Sequence, residues 1–325
     1  MGLPTEILKF FSAKYGDKND QGHIVPKSIQ DFSSTGFSGN INEVNLICKK
    51  FVEKGLLLHM GKVGSVPLLG ESYLASKFID KFAEYGTYDF MIDGFLSIRN
   101  QFSSSVLPII VTKENGEFDI GSAFTITGGY IVTALHCIEN FENVLITDQN
   151  DIPIQMENIY MHQDRRKDLA ILKPIGNPFE NSPKFLIGNA NILDEVLTMG
   201  YPPISGFDSI LVSERASINS SLKSSIGNLI GEGTSYLDGQ DYMLINAKVK
   251  GGNSGGPIID DKGNAVGMLI QIPIDPKDQT KLDVLGYGIG LHGSEIFDMW
   301  KSILTNGEDI RNIQFKNNDN GFRTK

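Results

Sequence analysis

Cysteine is nearly absent from this 325-residue chain, which contains only Cys48 and Cys137. One lies in each of the two domains predicted below, and unpaired thiols are typical of proteins from a reducing cytoplasm. The sequence also has no apolar run of about 18 residues, which excludes a membrane-spanning helix. Its N-terminus has no basic start followed by a long apolar stretch, so no secretory signal is visible. We therefore expect a cytoplasmic protein without a membrane partner.

Positive charge is scarce as well. The chain has 29 Lys and Arg residues against 39 Asp and Glu residues, a formal net charge of −10 at pH 7. This balance argues against a general nucleic-acid binder or a binder of anionic membranes. Residues 1–100 contain eleven residues of each sign, so the acidic excess lies entirely in the remainder. The length and this difference together indicate two domains.

A glycine-rich heptapeptide, residues 251–257, surrounds a single serine, Ser254. Glycine before the serine lets the backbone bend, and glycine after it leaves room for a substrate carbonyl group. The pattern predicts that Ser254 Oγ is a nucleophile and that the N–H groups of Gly252 and Ser254 form an oxyanion hole. For the heptapeptide alone, a glycine-rich surface turn is the alternative interpretation.

A serine nucleophile needs a base, and the base needs an acid that fixes its tautomer. His136 follows an apolar strand predicted over residues 130–135, and Asp168 comes directly before alternating apolar residues. A second nearby acid, Asp164, lies in a run of charged residues and is expected to be solvated. We therefore predict that Asp168 orients His136. The order His, Asp, Ser is the one that the chymotrypsin fold uses.

These motifs, residues 133–137, 168–173 and 252–257, resemble those of trypsin-like serine peptidases, nearest to the bacterial HtrA-type branch. Residues 121–124 and 286–290 extend the resemblance, which covers about residues 105–305. The resemblance implies two six-stranded antiparallel β-barrels with a C-terminal helix. It also implies an endopeptidase that hydrolyses protein or peptide substrates through an acyl-enzyme, without a metal or cofactor.

The resemblance implies less about specificity. In the family, the residue six positions before the serine lies at the base of the S1 pocket, and here that residue is Lys248. We expect Lys248, with Leu269 and Gly288, to line the pocket and to disfavour basic P1 side chains. Extracellular relatives bridge the cysteine after the catalytic histidine to one on the preceding strand, but the segment around Gly121 contains no cysteine. Cys137 is therefore expected to be a buried, unpaired side chain.

The first hundred residues predict a mostly helical domain. Helical patterns occur at 4–15, 26–32, 41–54, 71–85 and 88–102, and a hairpin is predicted over 56–69. The series resembles a winged helix-turn-helix domain. Because helix 41–54 carries three lysines, two glutamates and no arginine, DNA binding, docking of an activating protein partner and self-association all stay open.

The predicted organisation is thus a multidomain α + β protein. Its parts are a winged-helix-like domain over 1–102, a peptidase domain over 103–305, and a polar, disordered tail over 306–325. We expect the first domain to regulate the peptidase in a stress-response or defence setting. The rival hypotheses are a DNA-binding regulator whose peptidase acts on a signal, and an inactive peptidase fold used as a scaffold.

Overall fold

The computed structural model describes residues 2–148, 152–203, 209–211, 217–219, 221–235, 238–270 and 287–324. The chain divides into two compact units, Met1–Ser97 and Ile98–Lys325. This division falls five residues before the expected boundary, and the roles assigned to the two domains stay predictions. Among the helices of the described ranges, none is both long and apolar enough to cross a membrane.

The first unit packs short helices against a small antiparallel sheet. Its core combines apolar side chains from the helices and the strands, including Phe11, Phe51 and Tyr73. The sheet has the strand order β1-β3-β2. The elements are α1 Leu3–Phe10, β1 Lys27–Ser28, α2 Ile29–Ser33, α3 Ile41–Glu53, β2 Leu58–Lys62, β3 Glu71–Leu74, α4 Asp80–Tyr85 and α5 Thr87–Asp93, followed by α6 Phe95–Phe102 at the division.

Two helix predictions in this unit are wrong in part. The predicted helix over 71–85 begins as a strand, because β3 pairs with both β1 and β2 and forms the centre of the sheet. Over so few residues, a helical apolar spacing cannot be told from a strand pattern. The predicted helix over 88–102 divides at Gly94, whose φ of 76° belongs to the left-handed region and ends α5.

The second unit is built mainly of antiparallel strands and one closing helix. Two of its strands are buried on both faces along most or all of their length, as is usual for strands in the interior of a protein. Its elements are β4 Val106–Thr112, β5 Phe118–Ile126, β6 Tyr130–Thr133, β7 Asn143–Ile146, β8 Met156–His162, β9 Ala170–Pro174, β10 Glu195–Gly200, β11 Ser209–Leu211, β12 Ser217–Asn219, β13 Lys223–Thr234, β14 Asp241–Ile245, β15 Pro257–Ile259, β16 Ala265–Ile270, β17 Gly288–His292, α7 Gly293–Thr305, β18 Ile310–Asn312, β19 Phe315–Asn318 and β20 Gly321–Thr324.

One of the two expected barrels is confirmed. Strands β10-β13-β14-β17-β16-β15 close into a six-stranded antiparallel barrel. The other expected barrel is instead a curled nine-stranded sheet with the order β18-β8-β9-β6-β5-β4-β7-β20-β19. The physical reason is that C-terminal strands pair with both outer strands, β18 with β8 and β20 with β7. This architecture agrees with a chymotrypsin-like fold.

The expectation of a disordered tail is therefore wrong for the strands β18 to β20. Phe322 is fully buried and pairs with Val144 of β7. Gly321 has a φ of 124°, and a Cβ at this position would lie 2.1 Å from the Val144 carbonyl oxygen, so only glycine fits there. The polar composition of the tail hid these strands, because a few buried positions are enough to fix a hairpin on an existing sheet.

Candidate active site

His136 lies where strand β6 ends. Because β6 pairs with β5 on one side and β9 on the other, it runs through the middle of the sheet. A single helical turn, Leu135–Cys137, follows it. Leu135 and Cys137 are buried, whereas the His136 side chain is 39% exposed. The buried neighbours of His136 thus anchor the turn, and the imidazole alone reaches the surface.

Asp168 lies beside this imidazole. It precedes β9, whose first residue, Ala170, pairs with Thr133 at the end of β6. The carboxylate accepts a hydrogen bond from His136 Nδ1 at 2.6 Å and a second from the His136 backbone N–H at 2.9 Å. The other nearby acid, Asp164, accepts instead from Arg166 Nε at 2.9 Å and Nη2 at 2.7 Å. That guanidinium holds the pKa of Asp164 well below its usual range.

The environment of His136 also changes its protonation. Burial of the ring lowers its pKa, but the hydrogen bond to the Asp168 carboxylate and the contact with Cys137 more than offset that effect. The net result is a pKa raised above the usual value of 6.5. A raised pKa keeps the imidazole protonated to higher pH, and the neutral ring, which can accept a proton from a hydroxyl, becomes more abundant as the pH rises.

The loop around Ser254 has a backbone that its glycines make possible. Gly252 and Gly255 have φ values of 93° and 83°, which belong to the left-handed region. A Cβ at Gly255 would lie 2.0 Å from the Ser122 carbonyl oxygen, and one at Gly252 would lie 2.8 Å from the Tyr201 carbonyl oxygen. Glycine is thus required at both positions by conformation and by close packing.

Two local hydrogen bonds hold the backbone on both sides of Asn253 in this loop. The N–H of Asn253 donates to the Lys250 carbonyl at 3.0 Å, and the Asn253 carbonyl accepts from the Gly256 N–H at 2.8 Å. Within the described ranges, the N–H groups of Gly252 and Ser254 donate to no protein acceptor. Two neighbouring donors that are left without an acceptor can bind an anionic oxygen.

Cys137 links the imidazole and the serine. Its Sγ lies 3.5 Å from His136 Nε2 and donates to the Ser254 carbonyl at 3.5 Å. No hydrogen bond joins the Ser254 hydroxyl to His136 among the residues that the structure describes. His136, Asp168 and Ser254 therefore lie at one site, with the histidine–aspartate hydrogen bond formed and the serine–histidine bond not formed.

Residues 121–268 match the model of the trypsin-like peptidase domain. The serine endoprotease DegS of Haemophilus influenzae is 28% identical over 184 residues, 56% of this chain and 49% of DegS. The chloroplastic Protease Do-like 8 of Arabidopsis thaliana is 32% identical over 192 residues, 52% of this chain and 39% of that protein. The chain thus spans half or less of the length of these relatives.

A solved structure agrees at the level of the fold. An AlgW variant, an HtrA-type protease solved with a tripeptide, superposes with a TM-score of 0.50 and 21% sequence identity. The match covers 69% of this chain and 68% of that one. About half of the chain is thus similar to serine proteases, and residues 121–268 match the trypsin-like peptidase domain.

The residues expected to line the S1 pocket have different surroundings, and their assignment to that pocket stays a prediction. Lys248 is exposed, and its backbone N–H donates to Ser225 Oγ at 3.0 Å. Leu269 is 2% exposed and packs in the core of the closed barrel, which gives it a packing role. Gly288 is buried, and a Cβ there would lie 2.8 Å from Val249 Cγ2. Residues 271–286, which include part of the Gly286–Gly290 motif, lie outside the described residues.

Cys137 occupies the position that the family resemblance indicated. A Cβ at Gly121 would lie 2.9 Å from Cys137 Sγ, so the strand β5 passes directly beside this thiol. Both cysteines are free and buried, and burial raises the pKa of Cys48 to about 12. The structure therefore places Gly121 where a bridging cysteine would lie in the extracellular relatives.

Sequence reasoning missed one buried polar residue of the site. Ser122 is fully buried in β5, and its hydroxyl donates to the Gly252 carbonyl at 2.7 Å. The same hydroxyl accepts from the Tyr201 N–H at 2.9 Å, and the Ser122 carbonyl accepts from Thr133 Oγ1 at 2.8 Å. A serine in the buried part of a strand is a signal that could have identified it, since a buried hydroxyl needs a partner.

Proposed function

We propose that this protein is a serine endopeptidase that hydrolyses peptide bonds of protein or peptide substrates through an acyl-enzyme on Ser254. The observation that carries the proposal is the 2.6 Å hydrogen bond between His136 and Asp168 beside a serine loop with two unpaired N–H groups. An acid, a base, a hydroxyl and an anion site in this arrangement are the groups that acyl transfer through a serine nucleophile requires.

In the proposed mechanism, Asp168 holds the proton of His136 on Nδ1, which leaves Nε2 free to accept the proton of Ser254. The serine oxygen attacks the substrate carbonyl carbon, and the resulting oxyanion accepts from the N–H groups of Gly252 and Ser254. The protonated imidazole then protonates the leaving amine. The hydrogen bond between Ser254 and Nε2 must form before the attack, and catalytic hydrogen bonds often tighten only when substrate is bound.

The decisive variant is Ser254→Ala. We expect it to lower peptide hydrolysis by about four to six orders of magnitude and to abolish covalent labelling by a fluorophosphonate probe, because the nucleophile is missing. Ser105→Ala is a suitable control, since Ser105 is buried and donates to the Pro183 carbonyl. Labelling that persists in Ser254→Ala would contradict the assignment, and a wild type that is never labelled would favour the inactive scaffold.

The specificity of this site is a further part of the proposal. The exposed ammonium group of Lys248 would repel basic P1 side chains and attract acidic ones if it faced the bound peptide. A peptide library that varies P1 measures this preference directly. Efficient cleavage after Arg or Lys would contradict the assignment of Lys248 to the S1 pocket.

For the first unit, we propose a winged-helix-like module that binds a protein partner and controls the peptidase. The order α1, β1, α2, α3, β2, β3 with a β1-β3-β2 sheet supports this comparison. The outer face of α3 exposes Leu46 at 60% between charged side chains of both signs, and Lys50 Nζ donates to the Ile92 carbonyl. Such a mixed face suits a protein surface better than DNA phosphates.

A bacterial cytoplasmic location and a stress-response or defence setting belong to the same proposal. DNA binding is the alternative, and gel shifts of the full-length protein at increasing salt test it. We expect no salt-dependent shift. A shift that weakens steeply with salt would favour the DNA-bound regulator.

A further inference from the structure

Ser122 connects three parts of the peptidase unit. It lies in β5 of the nine-stranded sheet, while its hydroxyl contacts the serine loop and the residue after β10, Tyr201. Its backbone N–H also donates to the Ser254 carbonyl at 2.8 Å. A single buried residue thus holds two carbonyl groups of the loop, those of Gly252 and Ser254.

These two bonds fix the peptide groups that adjoin the unpaired N–H groups, namely Gly252–Asn253 and Ser254–Gly255. A peptide group is planar and trans, so fixing its carbonyl oxygen also fixes the N–H on the opposite side. The peptide between Gly252 and Asn253 is held at both ends, by the Ser122 hydroxyl and by the Lys250 carbonyl. This leaves the N–H groups of Gly252 and Ser254 on the peptides before and after it.

The direction of the Ser122 hydroxyl is itself fixed. Because its oxygen accepts the N–H of Tyr201, its single proton is directed to the Gly252 carbonyl. Space around it is limited, since a Cβ at Gly256 would lie 3.4 Å from Ser122 Cβ. Without this bond, the Gly252–Asn253 peptide is held only through the Asn253 N–H, and glycine gives the backbone there more freedom to rotate.

We propose that Ser122 is a positioning residue for the oxyanion hole. Its hydroxyl holds the Gly252 carbonyl, so that the N–H groups of Gly252 and Ser254 stay directed toward the substrate carbonyl oxygen. The inference rests on the proposed peptidase function, in which that oxygen becomes an anion.

The kinetic test compares Ser122→Ala with Ser105→Ala, which also removes a buried serine hydroxyl from a carbonyl acceptor. We expect kcat of Ser122→Ala to fall by about tenfold to a hundredfold with KM within about threefold, because the bond acts on transition-state binding. The affinity for a peptide aldehyde, a transition-state analogue, should fall by the same factor. Ser122→Cys, with a weaker donor of similar shape, should recover part of the loss.

A second readout does not depend on catalysis. Hydrogen exchange of the full-length protein, followed by mass spectrometry of peptides that cover 249–257, reports how firmly the loop is held. We expect faster exchange there in Ser122→Ala and unchanged exchange in Ser105→Ala. Unchanged exchange, or a kcat equal to that of Ser105→Ala, would overturn the inference. A wild type without peptidase activity would refute the proposed function, while the exchange result still decides whether Ser122 holds the loop.

Discussion

The two halves of the peptidase unit hold their parts of the candidate site in different ways. The nine-stranded sheet places His136 and Asp168 at the ends of two paired strands, and their hydrogen bond is already formed. The closed barrel carries Ser254 in a glycine-rich loop whose carbonyl groups are held by Ser122 from the other half. Strands thus support the proposed acid and base, whereas the proposed nucleophile depends on bonds that cross between the halves.

The first way to break this comparison is to remove the acid. Asp168→Asn should lower kcat by about four orders of magnitude, because an amide no longer holds the required tautomer of His136. Asp164→Asn is the matched control, since Asp164 lies nearby but pairs with Arg166. We expect less than a twofold change for the control, with initial rates on a peptide substrate as the measurement. Comparable losses in both variants would mean that Asp168 has no special role.

The second way is to loosen the nine-stranded sheet at the C-terminal strands. Phe322→Ala should reduce the free energy of unfolding by about 3–5 kcal/mol, since a fully buried phenylalanine leaves a cavity. Thr324 donates to the Ile138 carbonyl, two residues after His136, so activity should also fall. Urea denaturation measures the stability change.

The control for that change is Phe297→Ala, because Phe297 lies on α7 and is 45% exposed. We expect it to alter the free energy of unfolding by less than about 1 kcal/mol. If Phe322→Ala were no more destabilising than Phe297→Ala, the C-terminal strands would not support the sheet.

The contrast between local strands and long-range bonds also explains which features the sequence could predict. Local patterns identified the strands before His136 and after Asp168, because an apolar run that ends in a polar residue carries its own signal. The glycines around Ser254 were equally readable, since a left-handed backbone requires them.

Long-range contacts were not readable in this way. Ser122 and Gly252 are 130 residues apart, and nothing in either segment indicates that a hydroxyl meets that carbonyl. The pairing of Phe322 with Val144 is of the same kind, and it turned an expected closed barrel and a disordered tail into one nine-stranded sheet. Sequence patterns specify elements more readily than their partners.

The smallest expected effect is the pH dependence of kcat/KM, which tests whether Asp168 holds the His136 imidazole in solution. Because the pKa of His136 is raised above 6.5, the neutral imidazole becomes the major form only when the pH exceeds the raised pKa. We therefore expect kcat/KM to increase with pH and to reach its midpoint above 6.5. Initial rates on one peptide between about pH 5 and 10 measure this profile.

Stability should change in the opposite direction over the same window. A group whose pKa is raised in the folded state stabilises the fold fully below its unfolded pKa and loses that contribution as pH rises through the folded value. The His136 contribution should thus decline above pH 6.5, as measured by urea midpoints, and this decline should disappear in Asp168→Asn. A kcat/KM midpoint below 6.5, or a stability profile that Asp168→Asn leaves unchanged, would show that the carboxylate does not hold the protonated imidazole. The acid–base half of the site would then be no more preorganised than the serine loop.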